Sequence, residues 1–414
     1  MAGSGTSVDY DVVIAGGGMI GTSLALALAP LGLRIAIVEA VARGAAMQPS
    51  FDDRSTALSR STQRMFEAME LWDGIQAAST AIRSIHVSDK GRFGFSHINA
   101  DEQNVDALGY VVINRVLGEV LQEALSADRS VELICPARIA AFGPGPDTVT
   151  ATLIHEGGKS QQVTSRLLVA ADGANSSVRD MMGISALQTK YGQHAVVGNL
   201  LSEKPLDNVA YERFTDVGPL AVLPIADQRA AFIWTVTDAD AERVLELDDE
   251  AFLTELQSAF GNRLGIFSRV GKRAAYPLAL SKALRLTATR SVLVGNAAHG
   301  LHPVAAQGFN LGMRDVAALC DCIADACTDK DADIGDQDLL QRFASWRKAD
   351  QTKLVRFTDG LVHLFTSKKR PLRLLRNAGM LGFDLIPGVR SEFARHTMGL
   401  AGRLPRLSRG VPLR

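Results

Sequence analysis

The sequence predicts an α/β fold of two-domain, α+β type: a parallel-sheet domain, an antiparallel sheet inserted into it, and C-terminal helices. Three observations carry this. Residues 12–38 alternate a β-branched run, a glycine-rich turn, an apolar helical stretch and a second β-branched run. Two later apolar strands, Leu167–Ala170 and Ser291–Val294, each end in a small polar motif. From Ile184 to Leu284, strand-like runs such as Ala195–Leu200, Leu220–Ile225 and Ala231–Val236 are punctuated by turn residues, as in an antiparallel sheet.

Each element has a local reason. Val12-Val13-Ile14 has the composition of a buried parallel strand, and Gly16-Gly17-Gly18-Met19-Ile20-Gly21 follows it with the G-x-G-x-x-G spacing. Ser23 to Leu31 reads as helix, and Arg34 to Val38 as a second strand ending in Glu39, 18 residues beyond Gly21. This is a Rossmann-like βαβ unit for a dinucleotide. Its glycines let the backbone approach a pyrophosphate, the helix N-terminus supplies free N–H groups, and the acid accepts from ribose hydroxyls. The strand Leu167–Ala170 runs into Asp172-Gly173, and Ser291–Val294 runs into Gly295-Asn296-Ala297-Ala298-His299. After His302-Pro303 and Gln307-Gly308-Phe309-Asn310, a helical pattern extends to about Ala326.

The 414 residues carry 44 Lys+Arg against 45 Asp+Glu, and 47% are hydrophobic. That excludes a disordered chain and a general nucleic-acid binder. Cys135, Cys320, Cys322 and Cys327 make no disulfide framework and fit a reducing cytoplasm. Their spacing does not match paired Cys/His zinc clusters, so no metal is expected, and His299 and His302 are expected to shape their loop. The 22 uncharged residues from Val12 to Leu33 would be long enough for a membrane span. Their glycines, Pro30 and the absence of Lys or Arg before them favour strand, turn and helix instead.

Three motifs in this order resemble the class A flavoprotein aromatic hydroxylases, which share the para-hydroxybenzoate hydroxylase fold: the N-terminal glycines, Asp172-Gly173, and Gly295 to His299. Finer matches point to the branch of 2-polyprenyl-6-methoxyphenol hydroxylases of ubiquinone biosynthesis. They lie in Phe51 to Leu58, His86 to Asp89, Glu212-Arg213-Phe214-Thr215, Gly218 to Leu220, Ala275 to Leu280 and Gln307 to Asp315. The chain departs from the pattern at Asn296, usually Asp, and at Ala171 and Ala306, usually Gly.

The resemblance implies FAD as cofactor, with NAD(P)H and O2 as cosubstrates. Gly16, Gly18 and Gly21 would cradle the pyrophosphate, Glu39 would bind the adenosine ribose, and Arg54 and Arg115 would screen the phosphate and ribityl region. Asp172 and Asn296 would contact the ribityl and pyrophosphate region, and Gly308 and Asn310 would open the helix aimed at the negative charge of reduced flavin. By family mechanism, NAD(P)H reduces FAD, O2 adds at flavin C4a, and the resulting hydroperoxide hydroxylates an electron-rich phenol. No protein acid or base stands out as catalytic, because the flavin carries the chemistry. The implied reaction converts 2-polyprenyl-6-methoxyphenol to the 1,4-benzoquinol. The alternatives are a hydroxylase of another quinone precursor or a soluble phenol, or a flavin-free scaffold subunit of a quinone-synthesis complex.

The expected division is a discontinuous FAD-binding domain of residues 8–82, 106–183 and 285–365, a substrate domain of 83–105 and 184–284, and a basic helical tail of 366–414. Phe214, Leu223, Trp234, Tyr276 and Pro303 are the expected pocket-lining residues. The tail has eleven Lys/Arg against Asp384 and Glu392, a net +9, which leaves −10 on the residues before it. A basic amphipathic tail suits an anionic membrane surface or another quinone-biosynthesis protein, or packs on its own FAD domain. The expected location is the cytoplasm, peripheral to the inner face of its membrane.

Overall fold

The computed structural model describes residues 8–42, 54–91, 95–225, 229–300, 307–329, 332–366 and 387–413. Strands are numbered β1–β20 and helices α1–α10 along the chain.

At the centre of the first sheet, β1 (Tyr10–Ala15) lies between β2 (Ile35–Val38) and β11 (Ser160–Ala170), with β8 (Val131–Ile134) beyond β2 and β19 (Ser291–Leu293) beyond β11. All four pairings are parallel. These strands are covered on both faces, so they read as unbroken apolar runs. Val12, Val13, Ile14, Leu167, Leu168 and Val292 are fully buried. A hairpin of β9 (Ala137–Pro144) and β10 (Val149–His155) extends β11, and β18 (Thr287–Ala288) borders β19. Helix α1 (Met19–Leu28) packs against α4 (Asn114–Ala127) and α8 (Gln307–Cys327), and α8 packs against α9 (Gln337–Thr366). The apolar segment from Val12 is thus strand, turn and helix, and no helix of the described residues is long and apolar enough to cross a membrane.

The second sheet runs β20 (His299–Gly300), β17 (Ala274–Ala283), β12 (Ala186–Ser202), β15 (Arg229–Thr237), β14 (Pro219–Pro224), β13 (Val209–Phe214), β5 (Ser84–Asp89) and β6 (Phe95–Asn99). A further strand, β16 (Phe267–Val270), pairs with the end of β12. All of its pairs are antiparallel except β5 with β13. Alternation along these strands sends Val196, Leu220, Val222, Trp234 and Val236 to one face. There they form a core with Phe252 and Leu256 of α7 (Asp249–Phe260) and Val244 of α6 (Asp238–Glu246). Ala195, Val197, Ala221, Leu223, Ala231 and Ile233 take the other face, toward the first sheet.

A small sheet of β3 (Ser55–Ser59), β7 (Gly109–Ile113) and β4 (Ser79–Ile82) wedges between the two, packing Ile82 and Val111 against Leu223, Ile225 and Ala231. Short helices α2 (Arg60–Ala68), α3 (Trp72–Gln76) and α5 (Ser177–Met181) cover its flanks and the end of β11.

The described part of the C-terminal segment folds back onto the body. After α10 (Pro387–Thr397), the Met398 carbonyl accepts from the Ser61 N–H at 3.0 Å, and Leu407 and Leu413 enter the main core. Arg390 pairs with Glu102 at 3.2 Å, Arg406 with Asp321 and Asp325, and the Arg403 guanidinium lies 4.3 Å from the Trp346 ring centroid. Over these residues the basic side chains meet acids and an aromatic of the body. Lys368, Lys369, Arg370, Arg373 and Arg376 lie outside the described residues.

Candidate functional site

In a parallel sheet, ligands collect at the carboxyl ends of the strands. Here β1, β2, β11 and β19 end in register, with Ala15 opposite both Val38 and Ala170, and Ala170 opposite Leu293. That alignment brings Gly16, Glu39, Asp172 and Gly295, distant in sequence, to one edge. A cleft of about 930 Å³ opens there and runs to the inner face of the second sheet.

The glycine turn has little freedom. Gly16 has φ +100°, and a Cβ on it would meet the Ala171 carbonyl O at 2.6 Å; one on Gly21 would stand 2.0 Å from the Gly16 carbonyl O. Glu39 accepts from the Gly17 N–H at 2.6 Å through Oε2 and from the Val41 N–H at 2.7 Å through Oε1. One carboxylate therefore ties the end of β2 to the turn after β1. No acidic side chain stands in the first turn of α1 or α8, so neither first turn carries a charge that would repel an anion. Asp172 Oδ2 accepts from the Val178 N–H at 3.2 Å, while Asp172 Oδ1 is buried with no partner among the described residues. An unpaired buried carboxylate oxygen in a cleft wall suits a ligand hydroxyl.

Gly16, Gly18, Glu39, Arg54, Asp172, Asn296 and Gly308 all line the cleft. The Arg54 guanidinium lies 4.6 Å from the Tyr276 ring centroid, so this cation is fixed where the two sheets face each other. Gly21 stands one helical turn behind the cleft, where it lets α1 start. These residues fit FAD, with the glycines and helix N-termini at the pyrophosphate, Glu39 and Asp172 at hydroxyls, and Arg54 as counter-charge.

The structure places four expected residues elsewhere. Arg115 sits on α4, outside the cleft lining, and pairs with Glu119 at 2.8 Å one turn along. Its neighbour Asn114 lines the cleft instead and accepts from the Thr56 hydroxyl at 2.6 Å. Asn310 is buried in a clamp: its Oδ1 accepts from the Ser59 N–H and the Thr62 hydroxyl, both at 2.8 Å, and its Nδ2 donates to the Ala57 carbonyl at 2.9 Å. It holds β3 against α8 and so positions Arg54 and Thr56. Trp234 faces α7, where its ring meets Phe252 edge-on at 5.8 Å. Phe214, 3% exposed, is packed at the strand end opposite Pro219 and is absent from the cleft lining. Leu223 and Tyr276 do line the cleft, and Pro303 lies outside the described residues.

A buried ionic network behind the Gly295 turn was not legible as a unit. Asp315, fully buried on α8, accepts from the Gly295 N–H at 3.0 Å, lies 2.5 Å from His299 Nε2, and accepts from Arg347 Nε at 2.7 Å. Burial alone would raise its carboxyl, but His299 and Arg347 outweigh this and hold it at about 2. Asp350 completes the network between Arg347 and Arg314. Its signal was the adjacent Arg314-Asp315 pair set between the apolar Leu311 to Met313 and Val316 to Leu319 of α8.

Comparisons with known proteins agree with this geometry. The family described as FAD binding domain matches residues 9–358. The chain is 36% identical to a ubiquinone hydroxylase of Rhodospirillum rubrum over 97% of this chain and 93% of that protein. It is 30% identical to the 3-demethoxyubiquinol 3-hydroxylase of Escherichia coli over 95% and 100% of the two chains. The p-nitrophenol 4-monooxygenase of Pseudomonas putida superposes with a TM-score of 0.79 at 18% identity, covering 95% of this chain and 98% of that one. The chain belongs to the FAD-binding-domain family and is a flavoprotein aromatic hydroxylase.

Proposed function

We propose that this FAD-dependent monooxygenase hydroxylates the aromatic ring of a polyprenylated phenol in ubiquinone biosynthesis, converting 2-polyprenyl-6-methoxyphenol to the 1,4-benzoquinol. The supporting observation is that one cleft has two chemically different ends. At the strand termini it is lined by glycines, Glu39 and Asp172; against the second sheet it is lined by Val197, Leu223, Ile233 and Tyr276. The first end suits a dinucleotide and the second an apolar ring. FAD, when bound with NAD(P)H and O2 as cosubstrates, supplies the oxygen-transfer chemistry. Gly16, Gly18 and the α1 N-terminus would hold its phosphates, Arg54 would supply counter-charge, and Asp172 Oδ1 would accept from one of its hydroxyls. The apolar sheet face orients the ring and excludes water, which protects reactive intermediates from hydrolysis.

Residues 83–105 and 184–284, which supply this face, are proposed as the substrate domain. A prenylated substrate resides in the membrane, and Lys368, Lys369, Arg370, Arg373 and Arg376 are the proposed contact with an anionic lipid surface. The E. coli relative's name, at 30% identity, favours a demethoxyubiquinol-type ring as the second reading. Quinone profiling of a deletion strain separates the two. Accumulated 2-polyprenyl-6-methoxyphenol supports the first; an accumulated demethoxyubiquinol overturns it in favour of the second.

A further inference from the structure

On the inner face of the second sheet, the place of Glu212 is unexplained by cofactor binding. Register aligns Val87, Glu212, Ala221, Ile233 and Val197 in a single row across five strands. Directly opposed residues project to the same side, so Glu212 shares the face of the cleft-lining Ile233 and Val197. Every member of this row is partly accessible. The flanking row, Asp89, Phe214, Pro219, Thr235 and Ala195, is buried, as are Ala210, Leu223 and Ala231 on the other side. This row joins Glu212 across the sheet to Ile233 and Val197 of the cleft lining, by way of Ala221. Two strand spacings, roughly 9–10 Å, separate Glu212 from Ile233. An aromatic ring together with the glutamate side chain spans that interval. Leu223 of the cleft wall is diagonal to Glu212 and within its reach.

We infer that Glu212 receives the proton of the substrate's ring hydroxyl. This rests on the proposed phenol hydroxylation. A Glu212 carboxylate oxygen forms the new O–H bond, and the electron pair of the broken phenolic O–H bond stays on oxygen. The phenolate so formed is the more electron-rich ring for electrophilic attack. The ring's C–H proton then passes to water, its electron pair restoring aromaticity, and the proton held by Glu212 returns to the phenolate oxygen.

Burial pushes the Glu212 carboxyl up to about 7, where a general base serves a neutral-pH reaction. Among the described residues, the ionisable group beside it on this face is Asp89, diagonal on β5. From β14 it meets Ala221 and Leu223, and the small sheet packs Ala57, Ile82 and Val111 alongside. The Arg54–Tyr276 pair lies at the far side of the cleft.

The test uses oxidised, flavin-loaded protein and 2-methoxyphenol bearing one prenyl unit. Bound to wild type, the phenol is expected to show a phenolate absorption band that grows through about pH 7, the range proper to a tuned carboxylate base. With Glu212→Gln the band is absent there, hydroxylation falls about 10²–10⁴-fold, and the rise of turnover with pH is lost. Glu212→Asp, which withdraws the carboxylate by one methylene, is expected to keep the band at reduced turnover and reports even if Glu212→Gln does not hold flavin. Variants that keep the wild-type band, rate and pH profile overturn the role of Glu212 alone. Wild-type protein that hydroxylates no prenylated phenol overturns the proposed function instead.

Discussion

Gly21 has no side chain because there is no room for one: its Cβ would stand 2.0 Å from the Gly16 carbonyl O. Gly21→Ala must displace the turn that cradles the pyrophosphate. Overpacking of this kind costs roughly 1–3 kcal/mol, so flavin affinity is expected to fall about 10–100-fold, read by fluorescence on reconstituting the apoprotein. The two arginines make a matched pair. Arg54 lines the cleft and Arg115 does not, so Arg54→Ala is expected to weaken flavin binding about tenfold or more, and Arg115→Ala by less than twofold, in the same titration. Equal effects would contradict the placement. The glycines and strand-end acids were legible because close backbone approach permits few residue types. On α4 it is Asn114 that lines the cleft, and one residue on a helix turns the next side chain, Arg115, by about 100°.

Elements explain the remaining departures. Trp234 and Ile233 are neighbours in a strand whose two faces are both apolar, and hydrophobicity alone does not say which face meets the cleft. Only the register with Val197 and Ala221 does. Helix α8 is held behind the cleft by Asp315. Its carboxyl falls from 3.8 to about 2, so its stabilisation is fully present above about pH 4 and is lost as pH drops through the folded value. Asp315→Asn leaves buried Arg347 only Asp350, which Arg314 shares, in place of two carboxylates. That is expected to cost about 3–5 kcal/mol in denaturant unfolding at pH 7 and to flatten the loss of stability between about pH 4 and pH 2. The C-terminal segment is similarly integral. Leu407→Ala is expected to cost about 2–5 kcal/mol in the same assay. The tail's basic composition was visible in sequence, but its partners Glu102, Asp321 and Asp325 stand far off in the chain, so its docking was not.

For the whole molecule, an acidic body of net −10 carries a C-terminal segment of net +9. Truncating before Lys368 would strip Leu407 and Leu413 from the core, so membrane contact is better tested by converting Lys368, Lys369, Arg370, Arg373 and Arg376 to Gln. Each basic residue near an anionic surface contributes about 1 kcal/mol, and co-sedimentation with phosphatidylserine-containing vesicles is expected to drop by orders of magnitude. Unchanged sedimentation would remove the membrane role without touching the chemistry. Oxygen transfer to a prenylated ring is read directly by mass spectrometry under ¹⁸O₂. Flavin-loaded protein supplied with NAD(P)H and a short-chain 2-prenyl-6-methoxyphenol is expected to yield the quinol with one ¹⁸O atom on the ring. NAD(P)H consumed with only hydrogen peroxide formed, and no label in any ring product, would contradict it.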